Sequence, residues 1–148
     1  MTTCEKLVSE LGKELDLELE PGTDGITEIA VEGRLTLLKP DEAGESVTIY
    51  TIVAMADGAH DQETMRSALS INLFGLKTLG GHVGMYLDAY IYSRIEPLAD
   101  LTAEALADKL VAFARIANEI AEKLKPDEPS PQKETQNEAL SLSTFMRA

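Results

Sequence analysis

At 148 residues the chain suits one domain with one core and no metal or disulfide staple, because a domain of that size buries roughly 68–70% of its unfolded surface. Thirteen basic against twenty-six acidic residues leave a net charge of −13, which repels phosphate backbones and anionic lipid and excludes nucleic acid and membranes as expected partners. With Cys4 as the only cysteine, no leader pattern in MTTCEKLVSE and no apolar run near the ~20 residues that span a bilayer, a soluble chain in a reducing cytoplasm is expected.

Thr2, with Glu5 three residues on, is a capping-box start, and Cys4, Leu7, Leu11 and Leu15 follow on one face beside Val8. The pattern predicts a helix from about Thr3 to Leu17. Gly12 inside it costs ~1 kcal/mol relative to alanine, so the helix must be held by whatever its leucine face packs on. Pro21-Gly22 ends the segment. From Thr27, Ile29 and Val31 alternate with Glu28 and Ala30, and after Gly33 Leu35 and Leu37 alternate with Arg34 and Thr36. Two short strands around a Glu32-Gly33 turn are expected, followed by a second turn from Lys39 to Gly44.

Ser46 to Ala56 reads as a third strand with Val47, Ile49, Val53 and Met55 on one face, yet Tyr50, Ile52, Ala54 and Ala56 make the other face apolar too. One layer of helices shields one side of a sheet. Either part of the second face meets another subunit or a ligand chain, or the small Ala54 and Ala56 tolerate water.

Asp61 is the expected N-cap of a second helix, running to about Phe74, with Glu63 placed favourably for the helix dipole. Met65, Ala68, Leu69, Asn72, Leu73 and Leu76 recur at helical spacing, so the apolar stripe carries one polar residue, Asn72. After Gly80-Gly81 the period drops towards two, with Tyr86, Asp88, Tyr90 and Tyr92 against Leu87, Ala89, Ile91 and Ile95, the pattern of a strand pair. Thr102 then caps a third helix with Leu106, Leu110, Phe113, Ala117, Ile120 and Leu124 in register, stopped by Lys123, Lys125 and Pro126. The expected class is α+β, in the order α-β-β-β-α-β-β-α, with a twisted antiparallel sheet packed against helices in a domain spanning 1–125. Residues 126–148 form an acidic, Pro-rich tail: Pro126 to Asn137 holds no large apolar side chain and reads as a flexible linker. Beyond it only Leu140, Leu142, Phe145 and Met146 could dock, and the alternative is a frayed terminus. Removing this tail is expected to leave the fold and any dimer intact.

No catalytic motif stands out. Gly75-Leu76-Lys77-Thr78 lacks the glycines of a phosphate loop, and Gly80-Gly81-His82-Val83-Gly84 misses the dinucleotide-binding spacing and is followed by a strand pattern. Asp57, His60 and Asp61 at a strand-to-helix junction read as solvated caps rather than metal ligands. No serine or cysteine stands in a nucleophile context, and net charge opposes base stacking on Tyr86, Tyr90 and Tyr92. No enzyme activity, metal or cofactor is expected.

Three stretches, IAVEGRLTLL from Ile29, LSINLF from Leu69 and IEPLADLTAEAL from Ile95, set in this element order from Leu7 to Leu124, resemble the type III secretion chaperones of the CesT/Tir family. The turn near Leu87-Asp88-Ala89 is shorter than is usual there. The resemblance implies a bacterial cytoplasmic homodimer that is not an enzyme. It would hold the extended N-terminal segment of one or more secreted effectors and hand it to the export apparatus, with the export ATPase as a further partner. The candidate cargo grooves are the helix-one residues Leu7, Leu11 and Leu15 with the strand residues Ile29, Val31, Leu35 and Leu37. The two-sided third strand and the Asn-bearing helix point to self-association, with Met65, Leu69, Asn72, Leu73, Tyr86, Tyr90 and Tyr92 as the candidate interface. The rival readings are an adaptor or regulatory module of the same fold binding a folded partner, and an enzyme whose site is built from unremarkable residues.

Overall fold

The computed structural model describes residues 2–75 and 78–126, without the side chain of Phe74. Leu76 of the predicted stripe, the middle of the Gly75–Thr78 stretch and the tail beyond Pro126 lie outside the described residues. Helix α1 spans Thr3–Leu15 and opens as its sequence dictates. The Thr2 hydroxyl accepts the Glu5 N–H at 3.1 Å, and the Glu5 carboxylate accepts the Thr2 N–H at 2.8 Å. At the other end Asp16 turns left-handed, and the Leu17 N–H reaches back to the Gly12 carbonyl at 2.8 Å. A Cβ on Gly12 would lie 2.7 Å from the Leu17 carbonyl oxygen, so the glycine that weakens the helix interior is what lets the chain fold under its end.

The five strands are β1 (Thr27–Val31), β2 (Arg34–Pro40), β3 (Ser46–Met55), β4 (His82–Tyr86) and β5 (Ala89–Pro97). They form one antiparallel sheet in the order β1-β2-β3-β5-β4. Helix α2 (Asp61–Asn72), extended by a 3₁₀ turn at Leu73–Gly75, joins β3 to β4, and α3 (Ala103–Leu124) follows β5. The element order is the one the sequence predicts. The α3 cap forms as expected, the Thr102 hydroxyl accepting the Ala105 N–H at 3.1 Å. At α2 the cap position belongs to His60; Asp61, the expected cap, is the first helical residue and its carboxylate accepts the N–H groups of Asp57 and Gly58.

The register corrects one reading of the sequence. A two-residue turn, with Glu32 and Gly33 both at positive φ, sets Val31 opposite Arg34 and Ile29 opposite Thr36. The odd residues of β1 therefore share a face with the even residues of β2. Thr36 and Leu38 are buried beside Ile29, whereas Leu35 and Leu37 point to the opposite face and Leu35 is 56% exposed. One turn parity thus separates residues that the alternation alone had grouped as a single groove.

The core lies on the face bearing Thr27, Ile29, Leu38, Val47, Ile49, Val53, Tyr90 and Tyr92, against the buried sides of α1 and α3. Leu7, Val8 and Leu11 come from α1, and Leu106, Leu110, Phe113, Ala117, Ile120 and Leu124 from α3. The Tyr92 ring stacks on Phe113 with centroids 4.6 Å apart, and its hydroxyl donates to the Thr78 carbonyl at 2.8 Å. Buried Glu96 on this face is held in close ion pairs with Arg94 Nε at 2.6 Å, off hydrogen-bond geometry, and Lys109 Nζ at 3.3 Å. Cys4 is buried in the same core, and burial first, then Glu5 and Asp41, push its thiol above the ordinary value.

Leu7 and Leu11, offered above as groove residues, are thus core, because α1 packs its only leucine stripe against α3. Leu11→Ala is expected to lower unfolding stability by about 2–5 kcal/mol, read by urea denaturation. A loss under ~0.5 kcal/mol, the scale of a surface change, would put Leu11 back on the surface.

Candidate binding surfaces

The polar residue in the α2 stripe has a specific partner. Asn72 Nδ2 donates to the Val83 carbonyl at 2.8 Å, and the Val83 N–H donates to Asn72 Oδ1 at 2.7 Å. Val83 sits in β4, an edge strand paired only with β5, so the carboxamide occupies the place that the next strand would take. This fixes α2 alongside β4. Between them runs an apolar groove of about 220 Å³, lined by Met65, Leu69, Val83, Met85 and Tyr90. Of its walls Met65, Leu69 and Met85 remain exposed, Leu69 at 72%, and Leu73, Tyr86 and Leu87 on the same elements and their turns are exposed as well, Leu87 at 78%. Leu87 also takes a positive φ of 52° in the two-residue β4–β5 turn, an uncommon conformation for a large apolar residue.

Of the residues expected at a self-association surface, Met65, Leu69, Leu73 and Tyr86 are exposed; Met65 and Leu69 line the groove, whereas Tyr86, paired with Ala89, alternates to the other side of the sheet from Met85. Asn72 is half-buried and engaged with Val83. Tyr90 is buried in the groove's wall, where its hydroxyl has no hydrogen-bond partner among the described residues. Burial, with Asp61 and Asp57 nearby, raises the pKa of that hydroxyl, which stays protonated. Tyr92 is not at the surface at all: it lies fully in the core, and Gly81 is what admits it, since a Cβ there would come 2.7 Å from its ring.

A second surface is the sheet face away from α1 and α3. Its side chains are Leu35 and Leu37 of β2, Tyr50 and Ile52 of β3, and Ile91 and Ile95 of β5. Leu37 pairs across from Tyr50, and Ile52 from Ile91, so the residues form one band across three strands. Leu35, Ile52 and Ile95 are exposed and the other three are half-buried. Among the expected cargo residues, then, Leu35 and Leu37 lie on this face. Ile29 is buried beneath the helices, Val31 is half-buried on the helix side, and Leu15 is exposed at the end of α1. Ile52, Ile91 and Ile95 were not among the expected cargo residues; their signal was the apolar second face of the third strand, continued across a strand whose register the sequence does not display.

The polar groups at the β3–α2 junction are spent on the chain itself. Asp57 Oδ1 accepts the His60 N–H at 2.8 Å, and Asp61 closes the loop from the other side. Among the described residues no group of three or more His, Cys, Asp or Glu is placed to hold a metal ion, and no helix is long and apolar enough to cross a membrane.

The Tir chaperone protein (CesT) family model matches residues 6–120. The chain belongs to this family. Its CesT fold is shared with a chain of the ExsC-ExsE complex, at TM-score 0.71 and 15% identity over 86% of this chain and all of that one. It is also shared with a chain of the HopA1-SchA chaperone-effector complex, at TM-score 0.64 and 15% identity over 81% of this chain and 94% of that one. A third likeness is to the structure of the Yersinia pestis type III secretion chaperone SycH with a stable fragment of YscM2, at TM-score 0.58 and 18% identity over 78% and 98%. Comparison with curated proteins gives no significant match.

The LSINLF stretch that pointed to the family contains the Asn72 that pins α2 to β4. Asn72→Ala is expected to leave both Val83 backbone groups without that partner and to cost about 1–3 kcal/mol. Hydrogen exchange at the Val83 amide should quicken with it; unchanged protection would mean that water or a neighbour replaces the carboxamide at no cost.

Proposed function

We propose that this CesT-family chain is a cytoplasmic type III secretion chaperone, acting as a homodimer and holding the extended N-terminal segment of one or more effectors in an export-competent state. Its working unit is the domain 1–125, and the export ATPase is the further partner to which the loaded chaperone presents its cargo. The observation that carries the reading is the uncovered aliphatic band of the sheet, Leu35, Leu37, Ile52, Ile91 and Ile95, on a family fold whose helices all serve the other face. An extended chain presents alternate side chains along a strand-like path, and such a band offers sites for them without requiring the cargo to fold.

The two apolar surfaces have different work in this reading. The α2–β4 groove, with Met65 and Met85 as deformable walls and the exposed Leu69 protruding beside them, is where two copies meet. The sheet face stays available for cargo. Exposed charge pairs are screened beyond ~8 Å at physiological salt, whereas burying one leucine is worth about 1.5–3 kcal/mol. Apolar contacts therefore dominate cargo affinity even for a chain at −13.

Light scattering should return about twice 16.1 kDa. Leu69→Asp should return the single-chain mass with an unchanged circular dichroism spectrum, since Leu69 is exposed in the isolated chain. A wild-type monomer at high micromolar concentration sinks the dimer. For cargo, Leu35→Glu and Ile95→Glu should each weaken calorimetric binding of an effector N-terminal peptide at least tenfold, or ~1.4 kcal/mol, while wild-type affinity survives moderate salt. Full affinity in both variants would remove the sheet face from the binding surface. Loss of wild-type binding at moderate salt would make the mechanism electrostatic.

A further inference from the structure

A third apolar opening shares only Ile52 with these two surfaces. Three element ends diverge where β3 finishes, α2 begins and α3 stops. The register of β3 with β5 slips between Ile52 and Ala54, and β2 pairs with β3 only as far as Tyr50, so the last residues of β3 are bordered by a strand on one side alone. The gap is a cavity of about 280 Å³, walled by Val53, Ala54, Met55, Thr64, Ala121 and Leu124. An apolar cavity of ~150 Å³ holds a benzene ring, so this one takes a phenyl ring with a second aliphatic side chain. It falls below the ~300–1,000 Å³ of small-molecule sites, and its walls carry little that would orient a polar metabolite.

The occupant is indicated by where the chain goes next. Lys125 and Pro126 line the mouth of the cavity, so the polypeptide leaves α3 at its rim. The residues 127–139 that follow hold no large apolar side chain, and then Leu140, Leu142, Phe145 and Met146 arrive together. A random-coil chain of thirteen residues has an r.m.s. span of ~20 Å, enough to lead back to its own starting point. Tethering of this kind gives an effective concentration in the millimolar range. A segment too weak to bind from solution would therefore still be substantially docked. Leu140 and Leu142 stand two apart in the sequence, the spacing that would put both on one side of an extended segment.

We infer that the cavity at the C-terminal end of α3 is a receptor for the chain's own segment Leu140–Met146, docked in cis with the Phe145 ring as its principal occupant. The docked segment borders Ile52, which lines the cavity and belongs to the exposed sheet band, so the tail reaches the margin of that face. The inference does not depend on what that face binds.

The test uses the full chain, isotopically labelled, against the full-length double variant L142S/F145S, whose substitutions lie outside the core described above. Amide resonances of Val53, Met55, Ala121 and Leu124 should shift, and their hydrogen exchange should quicken several-fold, while Leu7, Leu11 and Leu106 are unchanged. Adding a synthetic peptide of residues 139–148 at millimolar concentration should restore the wild-type positions in the variant. Identical spectra for wild type and variant overturn the proposal, as do shifts confined to the α2–β4 groove or the open band. Shifts that depend on protein concentration place the segment on a second copy and overturn docking in cis.

Discussion

Helix α3 lying over β3, with Phe113 and Lys109 reaching Tyr92 and Glu96 of β5, is the contact on which the rest depends. Along its 22 residues, seven side chains are buried, from Leu106 to Leu124. They meet a sheet face whose centre is Ile49, Thr51 and Tyr92. The shorter α1 adds its leucine stripe at the side of α3, so the helices are spent on one layer. The sheet's other face follows as a remainder. Nothing among the described residues covers it, and its aliphatic side chains are the property that a binding role requires.

How much of this was legible follows from what each signal encodes. The three helices were readable because cap residues, stop residues and a 3.6-residue period are local, and α3 carried all three in its Thr102 cap, its Lys123 to Pro126 stop and its apolar stripe. The facing of β2 was not, because alternation gives the period of a strand and not its phase relative to a neighbour. The phase came from the Glu32-Gly33 turn, which put Leu35 on the face opposite Ile29. Leu7 and Leu11 show a different limit: an apolar stripe reads the same whether it packs on a core or waits for a partner, and only the presence of α3 decides. Asn72 was visible as the exception in its stripe, yet its partner is the backbone of Val83, which carries no side-chain signature. Gly12 was read as a cost, and the close approach of the Leu17 carbonyl that requires it lies in a loop with no periodicity.

Exposed leucines, isoleucines and methionines on two separate surfaces would ordinarily invite indiscriminate association. The excess of acidic residues opposes this by mutual repulsion between copies. Arg34 contributes to the same separation of tasks. Its guanidinium bridges Asn118 of α3 and the Ile52 carbonyl of β3, at 2.7 and 2.6 Å, and so anchors the point where covered core and open band come closest.

The strand order also dictates how the chain must assemble. The hairpin β1–β2 and its neighbour β3 are joined by short turns, so this meander forms from local contacts. Strand β5 then enters between β3 and β4, from Met55 opposite Ala89 to Ser46 opposite Pro97, after the chain has travelled through the whole of α2 and β4. Loop-closure entropy has to be met before any of those pairings is made, which makes this the slow event in folding. Until it happens β3, the most apolar strand, is an unprotected edge, the kind of exposure that favours aggregation during folding.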